Sequence, residues 1–286
     1  MSALKNTFKT TVLLAGLGGL FMGIGALIGG NGGLAIGLVI GLLFCGGSYW
    51  FSDKLAIRAA RAKPVTQQEA PELYAIVEDL AQRNNMPMPR LYMSPEAQPN
   101  AFATGRSPDN AAVCCTQGIL QVLDKDELRG VLAHELSHVH NRDILIGSVA
   151  AAVAMAIMFV SRIAMWGAIF GGGGDDDDGG NIIGLLALII LAPLAAMLLQ
   201  MALSRSREYQ ADASGAHLLN DGEPLARALE KIEAYAKKVP MNINPAEATA
   251  YIINPLTGRK VNFAGLFSTH PPTAERVQRL RTGAWR

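Results

Sequence analysis

Apolar and polar positions divide this chain into long apolar runs and shorter patterned segments. Four runs carry at most an isolated charge: residues 11–28, 33–51, 144 to about 170, and 182–203. A helix of about 20 mainly apolar residues spans the hydrocarbon layer of a bilayer, so each run is a predicted crossing. Gly29-Gly30-Asn31-Gly32 joins the first two as a turn rather than a cleavage site, which predicts a retained helical hairpin instead of a signal peptide. Small residues recur at four-residue intervals (Gly19 and Gly23, Gly25 and Gly29, then Gly33, Gly37 and Gly41), a spacing that lets helices approach closely in lipid. Tyr49-Trp50-Phe51 closes the second run as an interfacial aromatic belt.

The remaining segments have shorter periods. Residues 71–84 place Leu73, Ile76, Val77 and Leu80 on one helical face. Strand-like runs follow near 90–93, 101–104 and 111–115. The last two flank the turn-forming stretch from Gly105 to Asn110, predicting a small antiparallel sheet. Asp124 reads as the N-cap of a helix running through His138, with acidic residues in its first turn. Residues 225–237 form another amphipathic helix, and a last helix opens near His270 with Pro272 in its first turn. Residues 240–268 read as mostly irregular. The expected architecture is an α-helical integral membrane protein of four transmembrane helices with an α+β polar domain. Its parts are an N-terminal transmembrane hairpin (1–52), a first polar part (53–143), a second hairpin (144–203) and a second polar part (204–286).

Charge orients this plan. Lys5 and Lys9 precede the first run, Lys54, Arg58, Arg61 and Lys63 follow the second, and Arg205 and Arg207 follow the fourth. The opposite side carries an uncharged turn and the acidic loop Asp175-Asp176-Asp177-Asp178. Cationic loops stay in the cytoplasm, so both termini and the polar segments are expected there. The aspartate run lacks the alternating spacing of a calcium loop and reads as a solvated turn. Arg162 reads as a charge reaching the outer interface. Half of the 286 residues are hydrophobic and 17% are charged, too apolar for an ordinary soluble domain and too charged for a bare helix bundle. The net charge of +1 implies no broad basic surface and no nucleic-acid partner. Cys45, Cys114 and Cys115 show no metal-ligand spacing and read as reduced thiols.

The chemistry concentrates in His134-Glu135-Leu136-Ser137-His138. Residues four apart share a helical face, so His134 and His138 can hold one metal ion, with Glu135 beside that face as general base. Zinc lowers the pKa of a bound water to about 7, and the glutamate accepts the proton. A catalytic zinc needs a third protein ligand. Glu208 is the best candidate, with Asp212 four residues on to hold a liganding histidine's outer N–H. Periodicity alone would favour a solvated charged face there. Topology favours the ligand: two crossings separate His138 from Glu208, which returns the chain to the side it left. His138 lies six residues before Ile144 and Glu208 five after Leu203, so both stand within about 10 Å of one interface at 1.5 Å rise per residue. His140 and His217 read as peripheral. His270 is either an oxyanion stabiliser, assisted by Arg276 as a substrate-binding residue, or a structural element. Asn100, Ala101, Phe102 and Ala103 read either as a sheet edge that holds an extended substrate or as an ordinary hairpin strand.

These residues resemble the HtpX family of bacterial membrane metallopeptidases, within a wider group that includes the CAAX prenyl proteases. The resemblance covers nearly the whole chain. It rests on the N-terminal hairpin, Asn100-Ala101-Phe102-Ala103-Thr104-Gly105, the His134–His138 motif with Asn141-Arg142-Asp143, the second hairpin, Arg207-Glu208-Tyr209-Gln210-Ala211-Asp212, and His270-Pro271-Pro272. It implies that the two polar parts form a zincin-like cytoplasmic catalytic domain with zinc-dependent endopeptidase activity in the bacterial inner membrane, with one zinc per chain on His134, His138 and Glu208 and with Glu135 as catalyst. It also implies protein quality control under heat or envelope stress, acting on misfolded membrane proteins and unfolded polypeptides. The acidic loop is a departure from the family pattern. A prenyl-protein processing protease would need a large intramembrane chamber, for which four crossings are few. A zinc scaffold would not need Glu135, and a transporter would place several ionisable residues in its crossings, where only Arg162 occurs.

Overall fold

The computed structural model describes residues 2–143, 205–238 and 271–286. The third and fourth apolar runs, the acidic loop, the 240–268 segment and His270 lie outside the described residues. The described residues fall into two compact units: 2–7, 50–143, 205–238 and 271–286 belong to one, and 8–49 to the other.

Helix α1 covers Ser2–Ala59, but Gly30 has a φ of +55° and turns the chain back on itself within it. A side chain would be strained at that φ, which is why the turn predicted at Gly29–Gly32 uses glycine. The two arms then meet through other glycines: a Cβ on Gly25 or Gly33 would lie against the other's backbone. The packing stripe read from the sequence is thus used within one hairpin. Large apolar side chains point outward from it, Leu43 at 71% exposure and Ile36 at 61% among them. Among the described residues, no helix is long and apolar enough to cross a membrane, so the expected crossings rest on the hydropathy of the sequence.

The catalytic unit is built on a four-stranded sheet in the order β1-β2-β4-β3, with β1 at Lys63–Pro64, β2 at Arg90–Ser94, β3 at Ala101–Thr104 and β4 at Ala112–Thr116. β3 pairs antiparallel with β4, as expected. β2 joins β4 in parallel, with Leu91 opposite Val113, and the two-residue β1 closes the other side. Every residue of β4 is buried, as befits a central strand covered on both faces. Helix α2, Pro71–Arg83, lays Leu73, Ile76, Val77 and Leu80 into the core, the face read from its period.

A short helix α3, Gln117–Val122, leads into α4, Lys125–Asn141. α4 opens with a reciprocal cap: Asp124 Oδ1 accepts from Glu127 N at 2.9 Å, and Glu127 Oε2 accepts from Asp124 N at 3.0 Å. Glu127 is wholly buried, and Lys231 Nζ donates to it at 2.7 Å. Helix α5 occupies residues 205–219, α6 spans Glu223–Lys238 and α7 spans Thr273–Arg281. Leu225, Leu229 and Ile232 of α6 share a buried cluster with Val131, Leu132 and Leu136 of α4, and Val277 and Leu280 of α7 join it. α4 is therefore enclosed by the sheet, α2 and α6, which explains why its polar side chains are buried.

Candidate metal centre

One turn of α4 separates His134 from His138. Their rings meet edge to face, 4.7 Å between centroids and 87° between planes, and the two Nε2 atoms are 3.2 Å apart. Glu208 comes from α5: Oε2 lies 3.6 Å from His134 Nε2, and Oε1 3.6 Å from His138 Nε2. α5 can come this close because it presents small residues to α4. Ala211 and Ala216 are buried, and a Cβ on Gly215 would stand 3.0 Å from His134 N. His134, His138 and Glu208 form a group that could hold one metal ion.

Donor spacing tests the fit. Ligands about 2.0–2.1 Å from a tetrahedral ion stand about 3.4 Å from one another, close to the 3.2 Å between the two Nε2 atoms and to the 3.6 Å from each of them to its nearer Glu208 oxygen, Oε2 for His134 and Oε1 for His138. The outer ring nitrogens supply a second test. His134 Nδ1 is 2.9 Å from Asp212 Oδ1. His138 Nδ1 is 3.0 and 3.1 Å from the two oxygens of Asp143. Carboxylates placed there accept hydrogen bonds from the Nδ1–H groups and turn both Nε2 lone pairs toward each other and toward Glu208. Three electron-rich groups converging at this spacing suit a cation between them. Burial alone would lower the pKa of His138, but the Asp143 charge outweighs it and holds the ring up to about 10.

The supporting carboxylates are themselves held. Arg276 Nε donates to Asp212 Oδ2 at 2.9 Å and Nη2 to Oδ1 at 2.7 Å, while Nη1 lies 3.5 Å from Glu208 Oε2. Burial would raise the Asp212 carboxyl, yet Arg276 brings it down to about 2. On the other flank, Arg142 leaves α4 in the left-handed region, with φ 56° and ψ 34°. That reversal returns Asp143 beneath His138. Arg207 Nη1 donates to the Asp143 carbonyl at 3.0 Å.

Glu135 points to the sheet side of the same helix. It is 7% exposed, and its Oε2 accepts from Ala103 N on β3 at 3.0 Å. Burial pushes its carboxyl above the ordinary carboxylate range, against the pull of His134 and His138. A buried carboxylate beside three metal-type donors is placed to accept and return a proton.

The sequence reading brought His134, Glu135, His138, Glu208 and Asp212 together, and the structure places all five in one cluster. Asn100 and residues 101–103 lie at and along β3, an edge strand of the described sheet, whose Ala103 touches Glu135. Arg276 sits differently from its reading as a substrate contact. It is 1% exposed and engaged by Asp212 and Glu208, because the first turns of α7 pack behind the ligands rather than before them. His140 is exposed, and the His217 ring stacks edge-on to Trp285 at 5.4 Å. Cys114 and Cys115 are free buried thiols of β4. Asp143 received no role from the sequence. Its signal was an aspartate five residues past the second histidine, beyond the helix end, where periodicity no longer applies.

A helix carrying two histidines four apart, a carboxylate ligand from a second helix and a buried glutamate between them define a metalloprotease centre. A family model described as peptidase family M48 matches residues 67–284. "Protease HtpX homolog" of Syntrophobacter fumaroxidans is 52% identical over 97% of this chain and 99% of its own length. The protein of the same name from Pyrococcus furiosus is 51% identical over 96% and 94%. The chain therefore belongs to peptidase family M48, among HtpX-type proteases, and is a metalloprotease. A crystal structure of Ste24p from S. mikatae shares the fold, with a TM-score of 0.54 at 20% identity over 97% of this chain. The chain spans 65% of that structure's length.

Proposed function

We propose that the chain is a zinc-dependent endopeptidase of the bacterial inner membrane, cleaving misfolded membrane proteins and unfolded polypeptides at the cytoplasmic face. The observation that carries the reading is the convergence of His134 Nε2, His138 Nε2 and the Glu208 carboxylate at 3.2 to 3.6 Å, with Glu135 beside them. Two imidazoles and one carboxylate are a donor set that would hold zinc in a hydrolytic site. When bound, zinc supplies the Lewis acidity that acidifies water and polarises the scissile carbonyl. The chain's residues do the rest. Asp212 and Asp143 fix the tautomers of His134 and His138. Arg276 keeps Asp212 ionised and steadies Glu208. Glu135 takes the proton of the attacking water and returns it to the departing amine. The substrate lies extended along the β3 edge, where main-chain pairing demands little of its sequence. His270 stabilises the oxyanion.

Membrane insertion is supported by the four apolar runs, the outward-facing large side chains of α1 and the cationic residues flanking the runs. A catalytic site at the bilayer surface suits substrates that are themselves membrane proteins. This gives the protease a place in quality control during heat or envelope stress.

The test compares detergent-purified, zinc-loaded protein with Glu135→Gln on an unfolded soluble substrate and a membrane-protein substrate, with metal assayed in both. Cleavage by the wild type and none by a variant that keeps about one zinc is the expected outcome. Equal cleavage by both would remove Glu135 as the base and with it the mechanism.

A further inference from the structure

The two histidines of the metal centre are supported in different ways. Asp212, behind His134, belongs to the regular turns of α5 and is gripped by two hydrogen bonds from Arg276. Asp143, behind His138, stands past the end of α4 with no helix to fix it. Two main-chain bonds guide the reversal, from Arg142 N to Val139 O at 3.1 Å and from Asp143 N to His138 O at 3.3 Å. Arg142 takes the left-handed conformation that a side chain disfavours. Such a turn persists only where its surroundings hold it. The Asp143 carboxylate is nevertheless buried and meets His138 Nδ1 with both oxygens. Its main-chain carbonyl accepts from Arg207 Nη1 at 3.0 Å. Arg207 directly precedes Glu208 on α5, and the Asp143 and Glu208 charges both act on its guanidinium. Asp143 is the last residue before the third apolar run and Arg207 the fourth after the end of the fourth run, so one contact joins positions 64 apart.

We infer that Arg207 is a positioning residue for the metal centre: through the Asp143 carbonyl it sets the carboxylate that orients His138. This deepens the zinc-site reading above and rests on it. The path runs from guanidinium to carbonyl, from the carboxylate of the same residue to Nδ1–H, and through the ring to Nε2. A guanidinium suits the task, because its donors lie in a rigid, planar fork. Arg207 and Glu208 are neighbours, so one helix end supplies the third ligand and also fixes the support of the second. A different role for Arg207 is separable by sign. Acting only as a nearby positive charge, it would repel a divalent ion, and Arg207→Gln would bind metal more tightly. Acting by placing Asp143, it makes the same variant bind metal less tightly.

The experiment measures zinc affinity by competition with a chelating dye in full-length, detergent-purified protein. Arg207→Gln is expected to weaken zinc binding about three- to tenfold, a smaller loss than removing the carboxylate it places. Arg207→Lys, which keeps a cationic donor, is expected to return to within about threefold of wild type. Arg205→Gln removes an exposed charge from the same end of α5 and should leave the affinity unchanged. In an Asp143→Ala background, Arg207→Gln should change the affinity by less than about twofold, because the carboxylate to be placed is gone. Metal-free Arg207→Gln should melt with the wild type. Unchanged or tighter binding in Arg207→Gln, an equal loss in Arg205→Gln, or a loss that multiplies in full with that of Asp143→Ala would overturn the inference. Early melting of the metal-free variant would overturn it too, since Arg207 would then serve the fold at large. A wild type that takes up no zinc sinks the zinc reading and this inference together, whereas a zinc-binding wild type with an indifferent Arg207→Gln sinks the inference alone.

Discussion

Helices α1 and α4 break opposite rules of soluble proteins. α1 turns large apolar side chains outward, among them Leu42, Leu43 and Val39, with almost no polar residue between Thr11 and Tyr49. α4 does the reverse, burying Glu127, His134, Glu135, Ser137 and Asn141 inside the catalytic unit. An apolar surface of that extent is stable where its surroundings are also apolar. Buried polar groups are stable where each finds a partner, and those of α4 find theirs mostly on neighbouring elements: Lys231 of α6 for Glu127, Asp212 of α5 for His134, Ala103 N–H of β3 for Glu135, and the Ala133 carbonyl of α4 itself for Ser137. The contrast shows that composition alone misleads. The hydrophobic helix is the one that meets its environment through apolar side chains, and the helix carrying the chemistry is the one most enclosed by protein.

The contrast can be broken at either end. Glu135→Gln should have the largest effect, lowering kcat by about a thousandfold or more while metal content stays unchanged. Cleavage assays beside metal analysis would check this, and loss of metal would mean that the residue serves structure instead. On the other helix, Leu43→Arg puts a charge into the apolar surface and should cost about 3 kcal/mol of membrane insertion. Carbonate extraction of membranes would show the variant released, and normal retention would place α1 outside the hydrocarbon. Smaller effects should follow from the groups behind the histidines. Asp212→Asn and Asp143→Asn should each weaken metal affinity about 10- to 100-fold, measured by competition with a chelating dye. Asp212→Asn is expected to be worse, since it also leaves Arg276 buried without its carboxylate.

The smallest effect belongs to the cap of α4. Asp124→Ala should cost about 1 kcal/mol at neutral pH, read by thermal or denaturant unfolding of the catalytic unit. The Glu127 N–H holds the Asp124 carboxyl below its ordinary value. Its stabilisation is therefore fully present above about pH 4 and is lost as pH falls through the depressed folded value. The difference between wild type and variant should shrink over that acid range. A constant difference would mean that the charge of Asp124 plays no part.

Some of the site was legible because it is local. The i, i+4 spacing of His134 and His138 and the acidic start of α4 need only helical geometry, and α2, α4 and α6 fall within three residues of their expected bounds. The edge position of β3 was one of two readings. Pattern could not separate them, because an edge strand and an inner hairpin strand share the same alternation. β2 alongside β4 also went unforeseen, since parallel pairing joins strands through a crossover and leaves no turn signal.

The amino-acid sequence by itself determined the metal-binding helix, the glutamate beside it, the apolar runs with their flanking charges, and a glycine turn between two helical arms. These follow from short-range geometry and from side-chain chemistry. Only the tertiary structure decided that Arg276 stands behind Asp212 and Glu208 instead of facing a substrate, that Asp143 closes on His138, and that Ala103 N–H meets Glu135. Each of those contacts depends on where separate elements come to rest once buried surfaces are matched, and each is an interaction that a buried charge requires but that no spacing along the chain encodes.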